Sequence, residues 1–503
     1  MQVPSPCTPE LSSSYIKIIH EIFLVLTDSI SRIRRIKCDE GKPDCAKCIK
    51  SGRVCERYET LGTPSPRALQ PKQSVEHARS VSPRSLSPFP NAFSNEEEAL
   101  YFTHFRLETS RQLSWYVEDG FWSHKIPQVC FEELSLRSLA VAIAALSKSQ
   151  NGDEMAATHR DFALQQYGMA LKEAHTAINS RGEPDATRIA LISSLLIYCF
   201  ENLQGDCTQA GRHMEAALKL VQKKLVSRSF SFWSVRDNSA HSTLDQQLLL
   251  IFMRIDNGFQ FRDVDEGQEP STTLLLPNYL SEGFKIPSRF TGFVEARNYL
   301  EEFQHSMLLP ILRREDTHAP PFQSDAERAS TGRKLQQHLQ EWNDAFAPLL
   351  AAVDGGHLAI AATLQALALA TSIGIQTLCT PPELLFSVLE PFIAETEQIV
   401  RLCKSVILHP SFQKSFVFDC GVIRTLWMVI KSGTRRDIRE EAVRLCWAAV
   451  GRREMVFEAD AEIVARYGEA VLEAELQQPG TQLSIKWERD GFGGWRLDTV
   501  ADY

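Results

Sequence analysis

The chain has 503 residues, 44% apolar and 23% charged, the composition of a soluble globular protein able to bury a large core, which excludes a low-complexity chain. Its net charge of −9 hides an asymmetry: residues 32–57 hold nine positive and four negative side chains, net +5, leaving −14 for the rest. Only that short stretch suits nucleic acid, and no run approaches the roughly twenty uninterrupted apolar residues that a membrane span needs.

Residues 1–27 form an atypical N-terminus. Tyr15–Leu26 is apolar and β-prone, but Lys17, His20 and Glu21 interrupt it and no basic start precedes it, so it does not read as a signal peptide. Residues 28–58 are the most informative stretch. Cys38 and Cys45 are separated by six residues, Cys45 and Cys48 by two, and Cys48 and Cys55 by six. Thiolates grouped this way read as zinc ligands rather than as a disulfide framework. Arg32, Arg34, Arg35 and Lys37 precede the first of them, and a metal-folded segment with surplus Arg and Lys suits double-stranded DNA. The other eight cysteines are scattered; Cys199 and Cys446 sit in apolar helical context and read as buried thiols of a reducing compartment.

Residues 59–93 are rich in Pro and Ser, with Ser-Pro steps at Ser65, Ser82 and Ser87; such composition cannot bury a core and predicts a disordered linker. From residue 94 to 503 the pattern is helical. Ser94 and Glu97 have the spacing of a capping box. Leu136, Leu139, Ile143 and Leu146 share one stripe, and Phe162, Tyr167, Ala170, Ala174 and Ile178 another. Ile189, Ile192, Leu196 and Phe200 lead to a stop at Gly205, and Ala210, Met214, Ala217, Leu218 and Val221 mark a partner helix. Further helices are expected over 244–261, 293–312, 325–353, 357–378, 384–406 and 439–455, with strand-like alternation only over 483–497. The fold class expected is mainly α: a small zinc-stabilised module, a linker and a large helical domain of packed αα-hairpins.

The words RRIKCDEGKPDCAKC and SGRVC resemble the last two thirds of the signature of the fungal Zn(2)-Cys(6) binuclear-cluster transcription factors, Cys-x2-Cys-x6-Cys, a loop, then Cys-x2-Cys-x6-Cys, with Pro43 at the loop proline. EEEALYFTHFRLETSRQLSWYVEDGFWSHKIPQVCF, SSLLIYCFENLQGDCTQAGRHMEAALKLV and the terminal WERDGFGGWRLD are similar, less specifically, to the family's helical regulatory domain. The resemblance implies zinc held by Cys38, Cys45, Cys48 and Cys55, and DNA contacts from Arg32, Arg34, Arg35 and Lys37. By position, Arg35 falls where the family touches bases, while Arg32 and Arg34 fall at the phosphates or groove rim. It also implies CGG-like triplets as the sequence read, a nuclear location, contact with transcription machinery and a homodimer.

The family's first two cysteines should fall at 28 and 31, where this chain has Asp28 and Ser31. Three readings follow: a degenerate module with one zinc on the four remaining cysteines, a lost site with the helices kept as an interaction protein, or an N-terminus of about thirty residues that derives from a misplaced exon boundary. The last expects the transcript across codons 1–40 to place a Cys-x2-Cys pair ahead of Arg32. No phosphate loop, nucleophile elbow, zinc-protease motif or dinucleotide fingerprint is present, so an enzyme is not expected. GFGG at 491–494 reads as a turn, and the paired acids Glu132–Glu133 and Glu440–Glu441 as solvated helix faces.

Overall fold

The computed structural model describes residues 93–114, 120–150, 155–182, 185–205, 207–226, 244–259, 285–305, 322, 324–380, 392–418, 421–432, 434–454, 460–477, 483–489 and 495–501. The metal-ligand segment, the linker, their Ser-Pro steps and residues 491–494 lie outside them. The described residues from Asn95 onward form one large, mostly helical unit.

Its first helix, α1, is Glu96–His104. The cap is Asn95 rather than Ser94: the Glu98 amide donates to Asn95 Oδ1 at 2.8 Å, and three glutamates in the first turn suit the positive end of the helix dipole. A π-turn over Phe105–Thr109 leads to α2, Ser110–Ser114, and a second over Phe121–Lys125 leads to α3, Ile126–Glu132. Then α4, Leu134–Ser149, packs on α5, Ala156–Ser180, and on α6, Asp185–Gln204; α6 packs on α7, Cys207–Val226. The stripe predicted on α4 is buried, but so is nearly every residue from Leu139 to Ser147, because α4 is a central helix and not an amphipathic surface one. The α6–α7 turn is as expected: Gly205 takes φ 94, a left-handed conformation open to glycine at no steric cost, and Ala210, Met214, Ala217, Leu218 and Val221 are all buried.

Helix α8 is Leu244–Phe259, α9 Phe293–Phe303, α10 Asp325–Ala351, α11 Leu358–Cys379 and α12 Ile393–Ile407. The expected extensions over 260–261, 306–312 and 384–391 fall outside the described residues. Helix α11 supplies Ile360, Leu364, Ala368 and Ile375 to a core shared with α9 and α10. From its other side it supplies Ala362, Ala366 and Ile373 to the core of the C-terminal helices. A helix between two cores must be apolar all round. By length and composition alone α6 and α11 are apolar enough to cross a membrane, but 94% and 61% of their apolar windows are buried inside the protein. In the core against α9 and α10, Trp342 stacks on Phe346 and donates its indole N–H to the Ala296 carbonyl at 2.7 Å.

The C-terminal helices are α13, Val422–Lys431, α14, Arg436–Ala448, and α15, Ala461–Gln477. The sequence pattern favoured a helix through residue 455, but α14 ends at Ala448 and Arg453–Glu454 form a strand, β2, parallel to β1, Phe416–Val417. Two features cause the break. Gly451 takes φ 95 with the Lys414 carbonyl close by, and the chain beyond it is held by a fully buried ion pair, Arg452 Nε to Glu454 Oε1 at 3.3 Å. Glu454 Oε2 also accepts the amides of Gly421 and Ile423 at 2.9 and 3.1 Å, capping α13. This junction joins the first helices to the last: the Phe418 amide donates to the Leu113 carbonyl, Arg453 donates to the Asn202 carbonyl, and Trp122 and Tyr198 pack on Phe418. The strand pattern near the C-terminus resolves into an antiparallel pair, β3, Leu483–Arg489, and β4, Trp495–Ala501, whose register sets Lys486 opposite Asp498 and Glu488 opposite Arg496. The paired acids are more than solvated faces: Glu133 holds Arg181, Glu440 holds Arg436, and Glu441 holds Lys404 and Arg444.

Two stability predictions follow from this packing. A Cβ at Gly468 would lie 2.4 Å from Val443 Cγ2, where α15 sits against α13 and α14, so Gly468→Ala is expected to lower stability by about 1–3 kcal/mol in urea denaturation. Glu454→Ala removes one partner of a pair at 0% exposure and is expected to cost about 3–5 kcal/mol by the same measurement.

Candidate metal centre and nucleic-acid interface

The functional residues read from the sequence, Cys38, Cys45, Cys48 and Cys55 with Arg32, Arg34, Arg35 and Lys37, all lie outside the described residues, so their chemistry is argued from the donor set alone. Zinc binds thiolate, and a structural zinc takes four protein ligands. Four cysteines with one Cys-x2-Cys pair meet that need. When bound, the ion supplies the cross-link that a segment too small for an apolar core otherwise lacks. The donor set does not meet the need of a binuclear cluster, because two of six cysteines are replaced by Asp28 and Ser31.

The helical unit adds no competing metal site: among the described residues no group of three or more His, Cys, Asp and Glu side chains is placed to hold an ion. Cys130, Cys199, Cys403 and Cys446 are buried, free thiols. Burial pushes the thiols of Cys199, Cys403 and Cys446 well above the ordinary range, with the Glu454 charge adding to the effect on the last two. They are inert packing groups, as the sequence context of Cys199 and Cys446 indicated.

Several buried polar groups of this unit pair with one another. Glu201 accepts the Tyr167 hydroxyl at 3.0 Å and lies 2.7 Å from His213 Nδ1. Asp256 lies 2.8 Å from His305 Nε2. Glu301 accepts from Arg254 at 2.6 Å and from Arg297 at 2.7 Å. Such pairs are how helices bury charge without an exposed cost; Arg297 and Glu301 stand four residues apart on α9, whereas the other partners come from different segments of the chain and were not legible from sequence spacing. Burial by itself would raise the Glu301 carboxyl, but the two guanidiniums hold it below the usual carboxylate range.

Residues 32–63 match the fungal Zn(2)-Cys(6) binuclear cluster domain. The chain thus carries a match to a zinc-cluster domain near its N-terminus, followed by a large helical domain, and the relatives it is similar to are fungal transcription regulators. Among them, the aspercryptin biosynthesis cluster-specific transcription regulator atnN of Emericella nidulans is 25% identical over 38% of this chain and 34% of its own length. The transcription regulator lscL of Purpureocillium lilacinum is 24% identical over 38% of this chain and 48% of its own length. The Zn(2)-C6 fungal-type transcription factor afumD of Aspergillus fumigatus is 29% identical over 41% and 55%. The chain thus spans between a third and just over half the length of these curated relatives. No solved structure matches.

A depressed folded-state pKa makes Glu301 a source of stability above its unfolded value, about 4.3, which is lost as pH falls through the lower folded value. Urea denaturation between pH 7 and pH 3 is expected to show a flatter loss of stability toward acid in Glu301→Gln than in the parent chain.

Proposed function

We propose that this protein is a sequence-specific DNA-binding regulator of RNA polymerase II genes that acts in the nucleus and reads CGG-like triplets through the module at residues 28–58. The observation that carries the reading is the coincidence, within residues 32–63, of the zinc-cluster match with the chain's concentrated positive charge. In this reading zinc on Cys38, Cys45, Cys48 and Cys55 folds the module, and Arg35 reads a guanine, since a guanidinium can donate two bonds to guanine O6 and N7. Lys37 falls with Arg35 at the basic positions of the family's reading helix, while Arg32 and Arg34 hold the phosphates or groove rim, which fixes register without reading sequence. Residues 94–503, with net negative charge in the remainder of the chain, do not bind DNA; they contact transcription machinery and support a homodimer.

A second reading is favoured by Asp28 and Ser31: a helical interaction protein whose zinc module no longer binds DNA. Fluorescence anisotropy of the full chain on a CGG-containing duplex and on a scrambled one separates the two. The regulator reading expects preference for the CGG duplex, a steep loss of affinity with salt, and a loss of about 1–3 kcal/mol with relaxed specificity in Arg35→Ala. Arg32→Ala is expected to weaken both duplexes alike. Binding to neither duplex by the parent chain would leave the interaction-protein reading, and equal binding to both would remove the claim of sequence reading.

A further inference from the structure

We infer that the module holds a single zinc ion on Cys38, Cys45, Cys48 and Cys55, and not the pair of ions that its family name describes. The inference rests on the reading of residues 28–58 as the metal module, and it follows from counting ligands. Two four-coordinate zinc ions need eight ligand positions, which six cysteines reach only because two of them bridge both ions. This chain keeps four cysteines, and only one of them, Cys45, falls at a bridging position; together they reach five. Asp28 adds one position, or two if its carboxylate bridges. Ser31 adds none, because its hydroxyl stays protonated where a cysteine would be thiolate. Two ions therefore stay short of ligands, whereas one ion is satisfied by the four thiolates with nothing left over. The match to the cluster domain begins at residue 32, after both replaced positions.

The electrostatics survive this loss. Two zinc ions with six thiolates carry a net charge of −2, and one zinc ion with four thiolates carries the same −2. The +5 of residues 32–57 is thus offset to the same extent in either case, and the attraction to phosphate is retained.

Native mass spectrometry of the full chain purified with zinc reads the stoichiometry directly. Among its described residues the helical unit holds no cluster of metal-binding side chains, and four of its cysteines are buried, so those residues add no ion to the count. One zinc per chain is expected. Two zinc ions, or none, would overturn the assignment. Cys48→Ser is expected to lose the ion while far-UV circular dichroism stays that of the folded helical domain; retention of one zinc there would place the ion elsewhere and overturn it too. Asp28→Ala and Cys7→Ser are expected to keep one zinc, and loss in either would mean that the four cysteines are not the full ligand set. The result is independent of the proposed function. One zinc without CGG preference would leave the metal assignment standing and remove the regulator reading; two zinc ions with CGG preference would do the reverse.

Discussion

The helical unit depends on one buried ion pair. Arg452 and Glu454 lie at 0% exposure, and each is held by more than its partner: Glu454 takes two backbone amides at the start of α13, while Arg452 donates to the Gln413 carbonyl and lies over the Phe412 ring. Two charges removed from water cost several kcal/mol each unless their remaining hydrogen-bonding capacity is met. Meeting it requires that residues 412–418, 421–423 and 451–454 sit together. Because Phe418 and Arg453 in the same strip bond to Leu113 and Asn202, satisfying the pair also fixes the first helices against the last. The pair gives little net energy and much geometric definition.

Apolar packing does the rest, and it does so around α11. This helix is apolar nearly all round, and its position between two cores explains why. Polar relief comes from threonines bonded back to the carbonyl four residues earlier, as at Thr363 and Thr377, and from Gln304 reaching Thr371. These bonds satisfy hydroxyls that the buried environment would otherwise penalise.

How far the sequence was legible follows from which forces are local. Most helices were legible, because 3.6-residue periodicity and stops such as Gly205 are written in neighbouring residues, but α13 and α15 were not among those expected. The cap at Asn95 was missed by one residue because Ser94 and Asn95 are both competent acceptors and only backbone geometry chooses between them. The break at Ala448 was missed because only one of its causes, Gly451, is local; the other, Glu454 reaching the amides of Gly421 and Ile423, joins residues 33 and 31 apart. The ligand set proposed for the metal centre is read from the sequence alone, because cysteine spacing is itself the chemistry. What its two absent members do to the site was not readable from pattern and needed a count of coordination positions.

The placement of α11 has a consequence for genetics. Ala366 and Ala368 point into different cores from one helix, at 1% and 4% exposure, so an added methyl group at either crowds a separate set of partners. Neither residue is near the cysteines or the basic arm in sequence. Valine alleles at these positions belong to the kind that folds at a cool growth temperature and fails at a warm one, giving conditional loss of the folded helical unit while every residue proposed for metal and DNA remains intact.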